Sequence, residues 1–335
     1  MKNLLAAGAR RSESGCIYRS NLLGLAGHSG SFAEVHQALG QTRYDPDCCV
    51  KFGPLLMPSS PLAVRVQSAP LSVPGQALVP AVYLVGAGPG DPELLTIKAQ
   101  RIISQADVIL YANSLVPTQI LDWARPDAER LGTANLTLES ILPLMIERVR
   151  AGQSVVRIQS GDPSLYSAIH EQIQALTEAE VPFEVVPGIS AYQAAAAKLN
   201  AELTIPGLVQ SIILTRISGR TQVPASEDLA SMAAHKTSLC LYLSARHVEA
   251  AQEQLMQHYE ADTPVAICFR LGWPDEQIWL VPLSEMATAT HEHDLIRTTL
   301  YLISPALRGG QVRSRLYSPD HTHLFRPRPQ GEANG

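Results

Sequence analysis

Absences come first in this 335-residue sequence. No run of about 18 apolar residues occurs, so no membrane-spanning helix is expected. Lys and Arg number 26 against 31 Asp and Glu, a formal net charge of −5. That leaves no basic surplus to draw a nucleic-acid backbone, and any polyanionic ligand would have to be met by locally placed arginines. None of the five cysteines, Cys16, Cys48, Cys49, Cys240 and Cys268, forms a Cys-x-x-Cys pair, and the last two lie inside apolar, strand-like runs. No disulfide framework, zinc site or other metal site is indicated, and a cytoplasmic location is expected. The apolar part of Met1–Arg11 is too short for a signal peptide. No solenoid-type repeat is visible.

What the chain does contain is a core-forming composition, 46% apolar and 17% charged. It is organised around one stretch. Val82-Tyr83-Leu84-Val85 runs into Gly86-Ala87-Gly88-Pro89-Gly90-Asp91-Pro92, and a helical pattern follows from about Glu93 through Ile103. The glycines permit positive φ and close approach of a ligand to the main chain. Asp91 stands where an N-cap would, with Pro92 at the first helical position. This is the form of a ligand loop at the carboxyl end of a parallel strand. It is not a dinucleotide fingerprint: Asp91 replaces the third glycine, and Asp107 precedes the second strand Val108–Tyr111 where an acidic residue should follow it. A carboxylate in the loop would also repel a pyrophosphate. A nicotinamide oxidoreductase is thereby rejected, in favour of an uncharged or cationic ligand.

Residues 1–80 are rich in Gly, Ser and Pro and weakly periodic, with a short helical pattern around Phe32–Leu39. They are read as a poorly ordered extension or as a start placed too far upstream. A chain begun near Pro80 is therefore expected to fold. Residues 81–206 alternate strands and helices: Val108–Tyr111, the amphipathic helix Leu138–Ala151, the strand Ser154–Gln159, a helix from Leu165, the strand Phe183–Val186, and an alanine-rich helix from Ser190 to about Leu199. A mostly parallel sheet follows from that order. A boundary is expected near Gly207. Residues 207–307 form a second α/β domain with strands at Ser211–Leu214, Ser238–Leu243, Pro264–Phe269, Gln277–Pro282 and Thr298–Ile303, and a helix from Ala245 to about Gln257. Residues 308–335 are basic, polar and proline-rich, and are expected to fray. Four loops follow strand ends in the first domain, at Gly86–Asp91, Ala112–Leu115, Ser160–Ser164 and Pro187–Ala191, and parallel strands place them on one edge.

Those loops carry a resemblance. Gly86-Ala87-Gly88-Pro89-Gly90-Asp91-Pro92, Gly161-Asp162-Pro163 and Pro187-Gly188-Ile189-Ser190-Ala191 resemble the signatures of the tetrapyrrole methylase family. Tyr111-Ala112-Asn113-Ser114-Leu115-Val116, Leu214–Thr221 and Arg270–Glu276 are similar to its branch acting at ring carbon 11. The resemblance spans about residues 81–307. It implies an α/β fold of two domains, with a mostly parallel sheet in the first and a mixed sheet in the second. It further implies S-adenosyl-L-methionine as methyl donor, a homodimer, and methylation of C-11 of precorrin-4 or its cobalt form in corrin-ring assembly. Another ring methylase of the same fold, or an inactive donor-binding module, are the alternatives. Asn113 stands where relatives are expected to have Gly or Asp, and Leu271 where a small residue is expected.

By resemblance, Pro89, Ser160, Gly161, Asp162, Leu165, Ser190, Ala191, Leu243, Leu271 and Thr299 contact the donor. Asp162 would either cap the following helix or accept from the donor's ammonium group. Arg216 and Arg220 would grip tetrapyrrole carboxylates, since a guanidinium fork matches a carboxylate. Asn113 and Tyr111 are candidates to orient the ring, with Tyr111 also read as a core residue. Methyl transfer from a sulfonium to carbon is an in-line displacement that depends on alignment and exclusion of water. A strong anion against the sulfur would favour the charged ground state, so backbone-rich loops suit the chemistry. His291-x-His293 and His321-x-His323 are read as charged surface and tail, with no metal. Calorimetry is expected to show binding of the methyl donor or its demethylated product; tight NAD binding with no response to either would contradict this.

Overall fold

The computed structural model describes residues 72–309 and residue 318. The helical pattern at Phe32–Leu39, Cys16, Cys48, Cys49 and the pair His321/His323 lie outside the described residues.

The first sheet contains β1 (Val82–Gly86), β2 (Val108–Tyr111), β3 (Glu129–Gly132), β4 (Val155–Gln159) and β5 (Phe183–Val186), in the order β3-β2-β4-β1-β5. Every neighbouring pair is parallel. Central parallel strands are covered on both faces and so read as unbroken apolar runs. Val82, Tyr83, Leu84 and Val85 are all fully buried, alternating between two cores. Tyr83 and Val85 pack with Ala99, Ile102 and Ile103 of α1 (Ile97–Ile103). Val82 and Leu84 pack with Ile141, Met145 and Val149 of α2 (Leu138–Arg150) and Leu176 of α3 (Ile169–Glu178). Sequence reading missed β3, an edge strand that reads Glu-Arg-Leu-Gly and so offers no apolar run.

Two expected helix starts are corrected. The helix following the glycine loop is not continuous from Glu93. Asp91 caps only the short turn Pro92–Leu94, accepting from the Glu93 N–H at 2.9 Å. Leu95 and Thr96 return to extended backbone, and Thr96 Oγ1 caps α1 through the Ala99 N–H at 3.1 Å. Similarly α3 begins at Ile169 and not at Leu165, because Tyr166 and Ala168 sit at φ 53°, left-handed and incompatible with a helical turn.

The second sheet orders β6 (Ile212–Arg216), β7 (Ser238–Tyr242), β8 (Pro264–Phe269), β9 (Gln277–Pro282) and β10 (Thr299–Ile303) as β6-β7-β10-β8-β9. It is mixed: β6 and β7 are parallel, and the other pairs antiparallel. One face packs on α5 (Leu229–Ala233), α6 (Val248–Met256) and α7 (Met286–Glu292). The other face, with Cys240, Ala266, Cys268, Leu300 and Leu302, receives α4 (Ala191–Lys198), the helix that leaves the end of β5. Its alanines let it lie close on that sheet. No helix among the described residues is long and apolar enough to cross a membrane.

The packed chain reaches back past the expected boundary at 81. Arg101 donates to the Ser72 carbonyl at 3.1 Å and the Val73 carbonyl at 3.3 Å, and Leu78 packs on the first core. A chain that includes residues 72–80 keeps these contacts; one begun at Ala81 loses them. The shorter chain is expected to be less stable by about 2–3 kcal/mol, or roughly 4–12 °C in melting temperature by scanning calorimetry. Equal melting temperatures would show that residues 72–80 contribute nothing to the core.

Candidate active site

The carboxyl ends of β1, β4 and β5 meet at the level of the backbone. The Ala87 N–H donates to the Gln159 carbonyl at 2.8 Å. Gly88 and Gly161 exchange a pair of bonds, at 3.2 and 2.7 Å, a short antiparallel bridge between loops of a parallel sheet. A Cβ on Gly86 would lie 2.6 Å from the Gly188 nitrogen and 2.7 Å from the Gly161 carbonyl oxygen; one on Gly188 would lie 2.2 Å from that oxygen. Glycine is required at 86 and 188 by close approach. At Gly161, where φ is 67°, the backbone conformation requires it.

Asp162 ties the edge together. Its carboxylate accepts from the Ser164 N–H at 2.8 Å, from the Ser164 hydroxyl, and from the Gly188 N–H at 2.9 Å. Burial by itself would raise its pKa, but these donors outweigh burial and hold it below the usual carboxylate range. Of the two roles expected for Asp162, the helix cap is not seen: α3 starts too far downstream for Asp162 to reach its first turn.

At β5 the chain turns into α4 through a capping box, with the Ser190 N–H donating to Gln193 Oε1 at 2.9 Å. Tyr242, the last residue of β7, reaches the same turn. Its hydroxyl lies 2.9 Å from Ser190 Oγ and accepts from the Tyr192 N–H at 3.2 Å. Burial pushes the Tyr242 pKa up to about 12, so it bridges the two sheets as a neutral phenol. Leu243 follows at φ 54° and is 68% exposed, an apolar side chain held outward at the end of β7. The Tyr166 ring lies 5.6 Å from that of Tyr242.

A second lock joins the glycine loop to residues 270–276. A Cβ on Gly90 would meet Trp273 Cδ1 at 2.5 Å, and one on Gly272 would meet the Asp91 nitrogen at 2.4 Å. Arg270 lies over the Trp273 ring at 4.1 Å and pairs with Asp275. Glu276 accepts from the Gly272 N–H at 2.6 Å and pairs with Lys198 of α4 at 3.0 Å. Beside this lock lies a cavity of about 280 Å³, lined by Gly90, Asp91, Gln119, Lys198, Trp273 and Glu276. Glycine, Trp and charge were each legible in the sequence, but nothing in the linear order paired them.

The expected donor contacts distribute unevenly. Pro89, Ser160, Gly161, Asp162, Leu165, Ser190 and Ala191 share the sheet edge just described. Leu243 joins through Tyr242. Leu271 is 5% exposed and belongs to the core beneath α4, and Thr299 is buried at the start of β10. Tyr111 is half-buried against the first core. Asn113 is exposed and accepts from the Ala134 N–H at 3.1 Å, fixing the loop after β3. Arg216 turns into its own loop, donating to the carbonyls of Thr221 at 2.9 Å and Gln222 at 3.0 Å. Arg220 is exposed and makes no hydrogen bond or ion pair among the described residues. His291 pairs with Glu249 at 2.7 Å and His293 stacks on Trp279 at 4.1 Å, so these two imidazoles have separate partners. The edge fits a sulfonium nucleoside: its lining is glycine backbone and small hydroxyls, its carboxylates Asp91 and Asp162 already accept from backbone N–H groups, and Leu243 presents apolar surface to be covered.

The family model of the tetrapyrrole (corrin/porphyrin) methylases matches residues 81–287. A precorrin-4 C(11)-methyltransferase of Pseudomonas aeruginosa is 44% identical over 247 residues, 73% of this chain and 98% of that relative. A cobalt-precorrin-4 C(11)-methyltransferase of Priestia megaterium is 40% identical over 250 residues, 73% and 97% of the two chains. Among solved structures, a cobalt precorrin-4 methyltransferase of cobalamin biosynthesis matches with a TM-score of 0.66 at 40% identity, covering 68% of this chain and 95% of that one. A uroporphyrin-III C-methyltransferase from Thermus thermophilus, complexed with S-adenyl homocysteine, matches at 0.58 and 30% identity, over 68% and 93%.

Asp162→Asn sets an amide where the Gly188 and Ser164 donors converge, and is expected to lower both melting temperature and donor-product affinity. The pH dependence has a sign. A carboxylate with a lowered folded pKa contributes stability that is fully present above its unfolded pKa, about 3.9. That contribution is lost as pH falls through the lower folded value. The gap between wild type and variant should therefore be constant above about pH 5 and close at lower pH, read by urea denaturation. A gap that widens on acidification would contradict the assignment.

Proposed function

The chain belongs to the tetrapyrrole methylase family, and from that premise we propose that it transfers the methyl group of S-adenosylmethionine to C-11 of precorrin-4, or of its cobalt form, in corrin-ring assembly. The observation that carries this reading is identity of 44% sustained over nearly the whole length of a C(11)-methyltransferase. An inactive donor-binding module is disfavoured because the glycine loops, their bridge and the Asp162 tie are all intact. S-adenosylmethionine, when bound, supplies an electrophilic methyl group on a sulfonium.

The residues of the chain do the positioning. The backbone of Gly161, Pro89 and Ala191, with Ser160, Ser190 and Leu165, holds the nucleoside and amino-acid ends. Leu243 covers an apolar face, and Leu271 and Thr299 shape the floor from beneath. Asp162 is already engaged by the Ser164 and Gly188 donors, so it would offer a bound sulfonium no free counter-ion. Arg216 braces the loop 217–222, and that loop presents Arg220 to a carboxylate arm. Tyr111 and Asn113 orient the ring from the end of β2. Residues 81–206 carry the donor loops and 207–307 the arginine loop. We place the enzyme in the cytoplasm as a homodimer without a nucleic-acid partner, in keeping with its net charge of −5 and its free, buried Cys240 and Cys268.

Incubation with labelled S-adenosylmethionine and precorrin-4, with mapping of the labelled carbon, tests the reading; label at any other ring carbon overturns it. Arg220→Ala is expected to weaken tetrapyrrole binding about tenfold to a hundredfold while sparing the donor. Arg220→Lys should recover only part of the loss, since an ammonium lacks the fork. Equal loss of both ligands would remove Arg220 from the substrate clamp.

A further inference from the structure

β4 carries a cation that the described residues of the chain leave uncompensated. Arg157 lies two residues before the strand's end and is 8% exposed. Its Nη1 donates to Thr133 Oγ1 at 2.7 Å, and that hydroxyl donates to the Tyr111 carbonyl at 3.1 Å. Nε is fully enclosed and has no partner. Nη2 has no hydrogen bond, and no carboxylate among the described residues pairs with the group. Burial pushes its pKa down to about 10, with no acidic group opposing. Two residues farther along the strand stands a neutral amide, Gln159, 3.5 Å from a second on α3, Gln172, which donates to the Ser167 and Ala168 carbonyls.

Withdrawing a guanidinium from water is costly, and proteins ordinarily answer it with a carboxylate or several carbonyls. Here one hydroxyl answers it. The unanswered atoms are not scattered. Nε and Nη2 form one straight edge of the guanidinium, and that edge matches both oxygens of a carboxylate. It belongs to the strand whose next residues, Ser160–Asp162, enter the glycine cradle.

We propose that Arg157 anchors a carboxylate subsite at the carboxyl end of β4, beside Thr133, its Nε–Nη2 edge receiving both oxygens of a carboxylate that arrives with a ligand. The ligand enters from the loop side, where Ser160, Ser164 and Tyr166 are exposed. The choice of ligand rests on the methyltransferase reading: the carboxylate is either that of the donor's amino-acid end or an acetate or propionate arm of the tetrapyrrole.

Arg157→Met and Arg157→Lys test this, with S-adenosylhomocysteine, methylthioadenosine (the same nucleoside and sulfur without the carboxylate) and precorrin-4 as probes. If the carboxylate is the donor's, Arg157→Met weakens S-adenosylhomocysteine about tenfold to a hundredfold and leaves methylthioadenosine unchanged. If it is the tetrapyrrole's, both nucleosides bind as before and the KM for precorrin-4 rises by a similar factor. Arg157→Lys lies between, keeping the charge and losing the fork. Without ligands, Arg157→Met is expected to melt no lower than wild type, since it removes a lone buried charge. Acetate alone should raise the melting temperature of wild type and leave the Met variant unmoved, an outcome independent of any methyl transfer. The subsite is overturned if Arg157→Met binds all three probes as wild type does. It is equally overturned if all three weaken together with a lowered melting temperature.

Discussion

Three strand ends of the parallel sheet touch one another through bare backbone, and the rest of the site depends on that contact. Gly86, Gly161 and Gly188 approach so closely that a single methyl group at 86 or 188 would overlap a main-chain atom of a neighbouring loop. Parallel strands normally end in loops that diverge. Here the Gly88–Gly161 bridge and the Asp162 carboxylate draw the loops together instead. The result is a rim of N–H and C=O groups without bulky side chains. Such a rim can hold a polar, cationic nucleoside without setting a free anion against its sulfur.

The rim is then fixed relative to the second sheet by contacts of different kinds. The helix α4 is apolar enough to serve as core for the sheet that follows it in sequence, while its N-terminus belongs to the rim. The Tyr242 hydroxyl bonds at that N-terminus from the far sheet, and burial keeps it protonated to about pH 12. The interlock of Gly90 with Trp273 and of Gly272 with Asp91 works by shape, and Glu276 adds charge by joining Lys198 to the Gly272 N–H. Disturbing any one of these would loosen the glycine rim with respect to the 217–222 loop. In a reaction whose barrier falls through alignment of two bound partners, such a displacement costs rate directly.

Polar groups in the molecule divide by whether the chain satisfies them. Asp107, Asp162 and Arg216 look like ligand groups by residue type, yet each spends its hydrogen bonds on backbone or neighbouring side chains. Arg220 is solvated and Arg157 is buried, and neither pairs with a carboxylate among the described residues. For Arg220 water supplies the compensation. For Arg157 Nε it cannot, because that atom is fully enclosed, which distinguishes the energetic standing of the two cations.

The sequence by itself determined the alternation of strands and helices, the parallel first sheet, and the glycine loops at its carboxyl edge. Those features are written locally: apolar runs, and glycines where backbone must approach backbone. Helix starts at 97 and 169 escaped it because left-handed residues at 166 and 168 and the extended Leu95–Thr96 pair carry no distinctive residue type. β3 escaped because an edge strand needs no apolar pattern. Tertiary structure alone decided what each charged side chain does. Asp162 ties loops and does not cap the following helix, because Gly188, distant in sequence, brings its N–H within reach. Arg216 braces its own loop, and Trp273 finds its surface on a glycine nearly two hundred residues earlier, because hydrogen bonds and close packing depend on distances between atoms that only the folded chain establishes.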